Sequence, residues 1–178
     1  MPIMMIFVLL VIALIVITGL FSGRQVQSSG NLSTAETQIG TMSSQIESLY
    51  AQQGTFSGLT TASAIAGGVL PQNMVTSSTT AAGPFGGPVQ IGDAGAAGLT
   101  PNPGFVIEYD GLASKDCQGL ATGMTAQSIY IGSSPSVGSF LGGGSLVASS
   151  GASVTPAQAA TSCPATNGSV AFVFDKSS

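Results

Sequence analysis

The chain has 178 residues, a net charge of -4 from three Lys and Arg against seven Asp and Glu, and no histidine. So sparse and acidic a charge offers no electrostatic footprint for nucleic acid, and the missing imidazole removes Ser-His-Asp catalysis, histidine base chemistry and histidine metal sites. Charged residues are only 6% of the chain, against about a quarter in ordinary soluble proteins, so solubility rests on Ser, Thr, Asn, Gln and backbone amides, as on a surface packed closely among its neighbours.

The first element is apolar throughout. Ile3 to Ile17 reads IMMIFVLLVIALIVI, Thr18 to Phe21 extend it without a charge, and Arg24 closes it. A helix over Met1 to Phe21 spans about 30 Å, enough to cross the hydrocarbon of a bilayer. It has no polar face, so it must be buried in lipid or among copies of itself. A secretory signal peptide would begin with basic residues, whereas this run follows Met1-Pro2 directly; it reads as a mature N-terminus freed of its leader, or as a signal anchor. Gly19, Gly23 and Gly30 come next, each costing a helix about 1 kcal/mol relative to Ala. They mark a segment expected to be irregular or able to stretch.

Residues 1–28 are thus a hydrophobic stalk, and 29–178, about 150 residues, suit one globular head. Within the head the expected order is an amphipathic helix over 31–53, a loop region over 54–88, and a sheet region over 89–178. Asn31 or Ser33 can cap the helix, with Glu36 completing a capping box. Leu32, Ala35, Ile39, Met42, Ile46 and Leu49 then draw one apolar stripe, expected to lie on a sheet. Gln52, Gln53 and Gly54 end it. Leu59 to Ala66 reads as a short helix stopped by Gly67-Gly68, and Pro71 to Met74 as a turn.

Strand signals lie at Val89 to Ile91, at Gly104 to Tyr109 with Asp110-Gly111 as a turn, at Ser128 to Gly132, at Ser145 to Ala148 and at Ser169 to Phe174. In the last, Val170, Phe172 and Phe174 share one face. Ser114 to Met124 reads as a short helix, and Thr155-Pro156 opens another that runs to Ser162. Helix first and strands after, without βαβ alternation, predict an α+β head with an antiparallel sheet.

Cys117 and Cys163 both follow the stalk. In an exported chain such a pair reads as a disulfide, closing a loop of about 46 residues and worth about 4 kcal/mol on the chain-entropy model; two buried free thiols are the alternative. Lys115-Asp116 beside Cys117 flank a structural cysteine, not an activated one. Glu108, Asp110, Asp116 and Asp175 sit in no recognisable Ca²⁺ loop and read as exposed loop charges. Gly67-Gly68, Gly86-Gly87 and Gly142 to Gly144 lack the lysine and helix of a phosphate loop and read as turns. Asn31-Leu32-Ser33 and Asn167-Gly168-Ser169 match the N-glycosylation tripeptide. No catalytic, cofactor-binding or metal-ligating residue is expected, and no cofactor.

An apolar N-terminal helix, a weak glycine-bearing segment, an amphipathic continuation, an antiparallel sheet and a C-terminal disulfide loop together resemble the type IV pilin fold. Particular stretches are similar to the type IVb pilins of the PilS class, which build the thin pili of conjugative plasmids. They are Ile46 to Tyr50, Ala64 to Val75, Phe85 to Val89, and Phe105 to Tyr109 leading to Cys117. The resemblance implies a major structural subunit of a conjugative or adhesive pilus, with a minor or tip adhesin subunit as the alternative. It also implies an inner-membrane stage, a prepilin peptidase, an assembly machine with an ATPase, and a host or recipient cell surface as target.

In the filament, a helical homopolymer of identical subunits, Ile3, Met5, Phe7, Leu10, Leu14, Ile17 and Phe21 are expected to pack the core. The pattern departs from the family at Met5, where these pilins usually carry a glutamate. Either packing alone sets the register, or this is a minor subunit, since some tip pilins also lack the acid. A membrane-anchored exported enzyme is the third reading, disfavoured by the missing histidines and sparse charges.

Overall fold

A computed structural model of the chain describes residues 29–100, 103–133 and 144–176. In chain order the elements are α1 (29–49), α2 (Thr61–Ala66), β1 (Ala81–Ala82), β2 (Pro88–Asp93), β3 (Gly104–Leu112), α3 (Ser114–Gly123), β4 (Ser128–Ser133), β5 (Ser145–Ser149), α4 (Pro156–Ser162) and β6 (Gly168–Asp175). The strands form one antiparallel sheet in the order β1-β2-β3-β6-β4-β5. The expected α+β class and antiparallel sheet are both realised.

The three- and four-residue spacing of apolar side chains winds α1 and turns Ala35, Ile39, Met42 and Ile46 completely away from solvent. From Ile46 such steps reach both 49 and 50, and the sheet takes Tyr50. Its ring lies 5.5 Å from Phe56, whereas Leu49, expected in the stripe, is 48% exposed. No cap forms at Ser33 and Glu36, because the backbone is already helical at 29. The helix stops at 49 and a turn follows, in which Gln53 N–H donates to the Tyr50 carbonyl at 2.9 Å.

The core lies between α1 and the sheet. Strand alternation sends Phe105, Ile107 and Tyr109 of β3, with Val170 and Phe172 of β6, toward α1. Val106, Ala171 and Val173 point the other way and form a smaller cluster with Ala94, against which Ala97, Leu99 and Tyr130 pack. β3 and β6 are therefore buried on both faces, which is why their sequences are almost continuously apolar.

Asp110-Gly111 does not turn the chain. β3 runs on to Leu112 through a register shift against β6, with Gly111 at φ +69°. A positive φ at glycine serves a bulge as readily as a turn, so the dipeptide misled.

α2 begins at a capping box between Thr60 and Ser63 and closes the β2 edge. Thr60 bridges Gly92, and the Ile91 N–H donates to Thr61 Oγ1 at 3.0 Å. This edge has its backbone groups satisfied locally. α4 opens at Thr155-Pro156 as expected, with Thr155 and Gln158 completing another capping box.

Candidate assembly surface

Cys117 on α3 and Cys163 at the C-cap of α4 form the expected disulfide, with Cα atoms 5.9 Å apart. Beneath it, a Cβ on Gly168 would meet Cys117 Cβ and the Leu112 carbonyl, both at 3.3 Å, so glycine lets β6 run close under the bridge. α3 also meets α1 through a pair of glycines. A Cβ on Gly119 would come 2.7 Å from Leu32, and one on Gly123 would strike the Glu36 carboxyl. Leu32 and Glu36 are one turn apart on α1, and Gly119 and Gly123 one turn apart on α3, so the knobs of one helix enter the gaps of the other. The Gly-x-x-x-Gly spacing in Gly119 to Gly123 is the signal in the sequence for this close approach.

Two polar contacts fix α1 and the turn after it. Tyr109 Oη, buried on β3, donates to Gln38 Oε1 at 3.3 Å, and burial pushes the Tyr109 phenol well above its ordinary range. Lys176 Nζ donates to the Gln53 carbonyl, tying the end of β6 to the turn that follows α1.

The opposite face of α1 is open to solvent and carries no charge. Gly30, Thr34, Thr37, Thr41, Ser44 and Ser48 recur along it at spacings of three and four, and all are exposed. Four of its hydroxyls turn back onto the helix: Thr34 Oγ1 donates to the Gly30 carbonyl at 2.8 Å, Thr37 Oγ1 to the Ser33 carbonyl at 2.9 Å, Thr41 Oγ1 to the Thr37 carbonyl at 2.9 Å and Ser44 Oγ to the Gly40 carbonyl at 3.0 Å. The O–H donors of these side chains can be covered without losing a hydrogen bond to water. Gly30 and Gly40 have no atom within 4 Å of where a Cβ would stand, so packing within the head does not demand glycine at either.

The acids correct one expectation. Asp175 is exposed and Asp116 lies half-buried in the first turn of α3. Glu108 and Asp110 are not loop charges: they are 0% and 2% exposed, on the face of β3 turned away from α1. Burial raises the Asp110 pKa, and hydrogen bonds with Gln90 and Glu108 act against that rise. Among the described residues no group of three or more acidic, histidine or cysteine side chains gathers to hold a metal. The clefts beside α2 are lined chiefly by threonines and small or apolar residues, with Asp93 their one titratable group, and hold no catalytic constellation.

Ile3, Met5, Phe7, Leu10, Leu14, Ile17, Phe21, Gly19 and Gly23 lie outside the described residues. Gly30 is exposed and helical. No described helix is long and apolar enough to cross a membrane.

A helix laid along an antiparallel sheet, with a disulfide clasping the C-terminal part, is the head of a type IV pilin. The crystal structure of a type IVb pilin from Salmonella typhi superposes with a TM-score of 0.56 at 19% identity, over 83% of this chain and 99% of that one. TcpA, a type IV pilin from Vibrio cholerae El Tor biotype, gives 0.55 at 19% identity, over 81% and 98%. No curated protein matches. The family described as PilS N terminal matches residues 29–175, and the chain belongs to it. It is accordingly a pilin, a structural subunit and not an enzyme.

Proposed function

We propose that this chain is the major subunit of a type IVb pilus of the conjugative or adhesive kind, polymerising through its N-terminal apolar helix into a helical filament. The observation that carries the reading is the outer face of α1, uncharged, small and with four of its hydroxyls donating back to the helix. A free-standing subunit would gain solubility from Lys and Glu at those positions. Small residues instead permit close helix approach, and α1 follows the apolar stretch of residues 1–28 directly in sequence.

Before assembly the stalk lies in the inner membrane, where helix contact gains no hydrophobic free energy over lipid. A prepilin peptidase and a motor-driven machine then release and extract it. Outside the membrane, Ile3, Met5, Phe7, Leu10, Leu14, Ile17 and Phe21 bury one another. At about 1.5 to 3 kcal/mol per large side chain, the bundle is held without covalent links. Gly19, Gly23 and Gly30 let the stalk lengthen while this core stays dry. Repetition of one heterologous contact whose rotation does not close yields a helix of subunits. The far end meets a host or recipient cell surface.

Negative-stain microscopy of the producing cell with and without the gene tests the proposal: filaments vanish in the deletion, and unchanged filaments would remove the claim. The absent acid at Met5 favours a second reading, a minor or tip pilin acting as adhesin. Subunit stoichiometry in sheared filaments separates the two, since a tip subunit is rare there and a major one dominates.

A further inference from the structure

The sheet face turned away from α1 carries a polar cluster on three adjacent strands: Gln90 on β2, Glu108 and Asp110 on β3, and Ser169 on β6. Gln90 stands opposite Glu108 in the ladder, and Ser169 precedes Val170, the partner of Tyr109, which sets it beside Asp110 at the bulge. None of the four is more than 5% exposed. Gln90 Nε2 donates to Asp110 Oδ2 at 2.7 Å. Glu108 and Asp110 stand two residues apart on the same buried face of β3, and two carboxylates so close and so far from water repel each other, which favours a proton on one of them. Asp110 Oδ1 and Ser169 Oγ, also buried, find no hydrogen-bond partner among the described residues.

The described surroundings add no charge of either sign. Along β6 the same face continues with Ala171 and Val173; segment 94–99 contributes Ala94, Ala97 and Leu99; and β4 offers Tyr130, whose hydroxyl bonds Thr100. The other carboxylates of these strands, Asp93 and Asp175, stand opposite Phe105 and Gly104. That is about 10 Å or more along β3 from Glu108. Lys115 is exposed on α3, and Lys176 is engaged with Gln53.

We infer that Glu108 and Asp110 share a proton in the folded head and act as a pH-responsive clamp across β2, β3 and β6, tight while the proton is held and loosened when both carboxyls ionise. A proton, not a metal ion, is the occupant this geometry favours, because the Gln90 amide presents an N–H donor to Asp110, and a donor repels a cation. The sign follows from linkage. Burial raises the Asp110 pKa, so the folded state binds the proton more tightly than the unfolded chain. The stabilisation is complete at and below the ordinary carboxylate range and is lost as pH rises through the raised titration of the pair. The clamp does not rest on the filament reading, since it belongs to each subunit separately.

Thermal unfolding of the full-length chain in detergent micelles between pH 5 and pH 9 tests it. The window stops short of Tyr109, whose buried phenol adds its own loss of stability only in stronger alkali. The wild-type Tm should fall by about 5 °C or more across this range, and Asp110→Asn or Glu108→Gln should flatten the dependence. Infrared difference spectra of the wild type should show the C=O stretch of a protonated carboxylic acid still present at pH 7, which needs no variant to fold. A wild-type Tm that is flat or rises with pH, a slope unchanged in Asp110→Asn, or no acid band at pH 7 would each overturn the clamp. So would a rise in Tm on adding Ca²⁺ that chelator reverses and Asp110→Asn abolishes, because the pair would then be a cation site.

Discussion

Glycines in this head differ sharply in what surrounds them, and the difference predicts which can be replaced. A Cβ on Gly87 would run into the Asp110 carbonyl, a backbone atom that cannot move without breaking the bulge. Gly87→Ala should therefore cost about 2–3 kcal/mol. Gly119→Ala meets only the end of the Leu32 side chain and should cost less than about 1.5 kcal/mol. Denaturant titration of the two variants side by side checks the order. Tyr109→Phe should cost about 1 kcal/mol, since it withdraws the O–H that the buried Gln38 amide accepts. Glu108 and Asp110 read from the sequence as exposed because acids usually are. The contrary signal was positional: Glu-Tyr-Asp continues a run of apolar residues in a strand buried on both faces, where every second residue faces inward whichever side is chosen.

Among the elements, α1 shows most plainly what a sequence can and cannot tell. Ala35, Ile39, Met42 and Ile46 were legible because a helix period of 3.6 leaves little choice at the centre of a stripe. Leu49 and Tyr50 were not, because both lie at its margin and only the sheet decides between them. The other faces read from the sequence as Ser, Thr and Gln, but sequence does not reveal that the outer hydroxyls bond the preceding turn. Gly40→Leu offers a separation of roles. The space around Gly40 within the head is open and leucine is the better helix former, so the subunit in detergent should gain about 0.5–1 kcal/mol, while filament yield by shearing and electron microscopy should fall. A variant that gains stability and still makes normal filaments would take this face out of the assembly contact. Between α3 and α4, loss of the bridge in a Cys117→Ala, Cys163→Ala chain should lower stability by about 4 kcal/mol, measured against the oxidised wild type.

Over the whole molecule, the class was readable and the sheet order was not. Each strand announces itself locally through Val, Ile, Phe and Tyr. Nothing local says that β6, the last strand in the chain, lies between β3 and β4. That choice is made by side chains far apart in sequence, with Phe172 opposite Ile107 on one side and Ile129 on the other. The two-stranded unit of β4 and β5 meets the three-stranded unit of β1, β2 and β3 only through this late arrival. Until the last strand docks, two separate fragments of sheet must therefore wait, each with a bare margin. Cys163 precedes the closing strand, so oxidation can hold α4 against α3 and bring the fragments near before it docks. A ribosome stalled just ahead of Gly168 should leave a protease-sensitive chain, and one released a dozen codons later a resistant one, which makes the final segment the step that commits the subunit to its finished form.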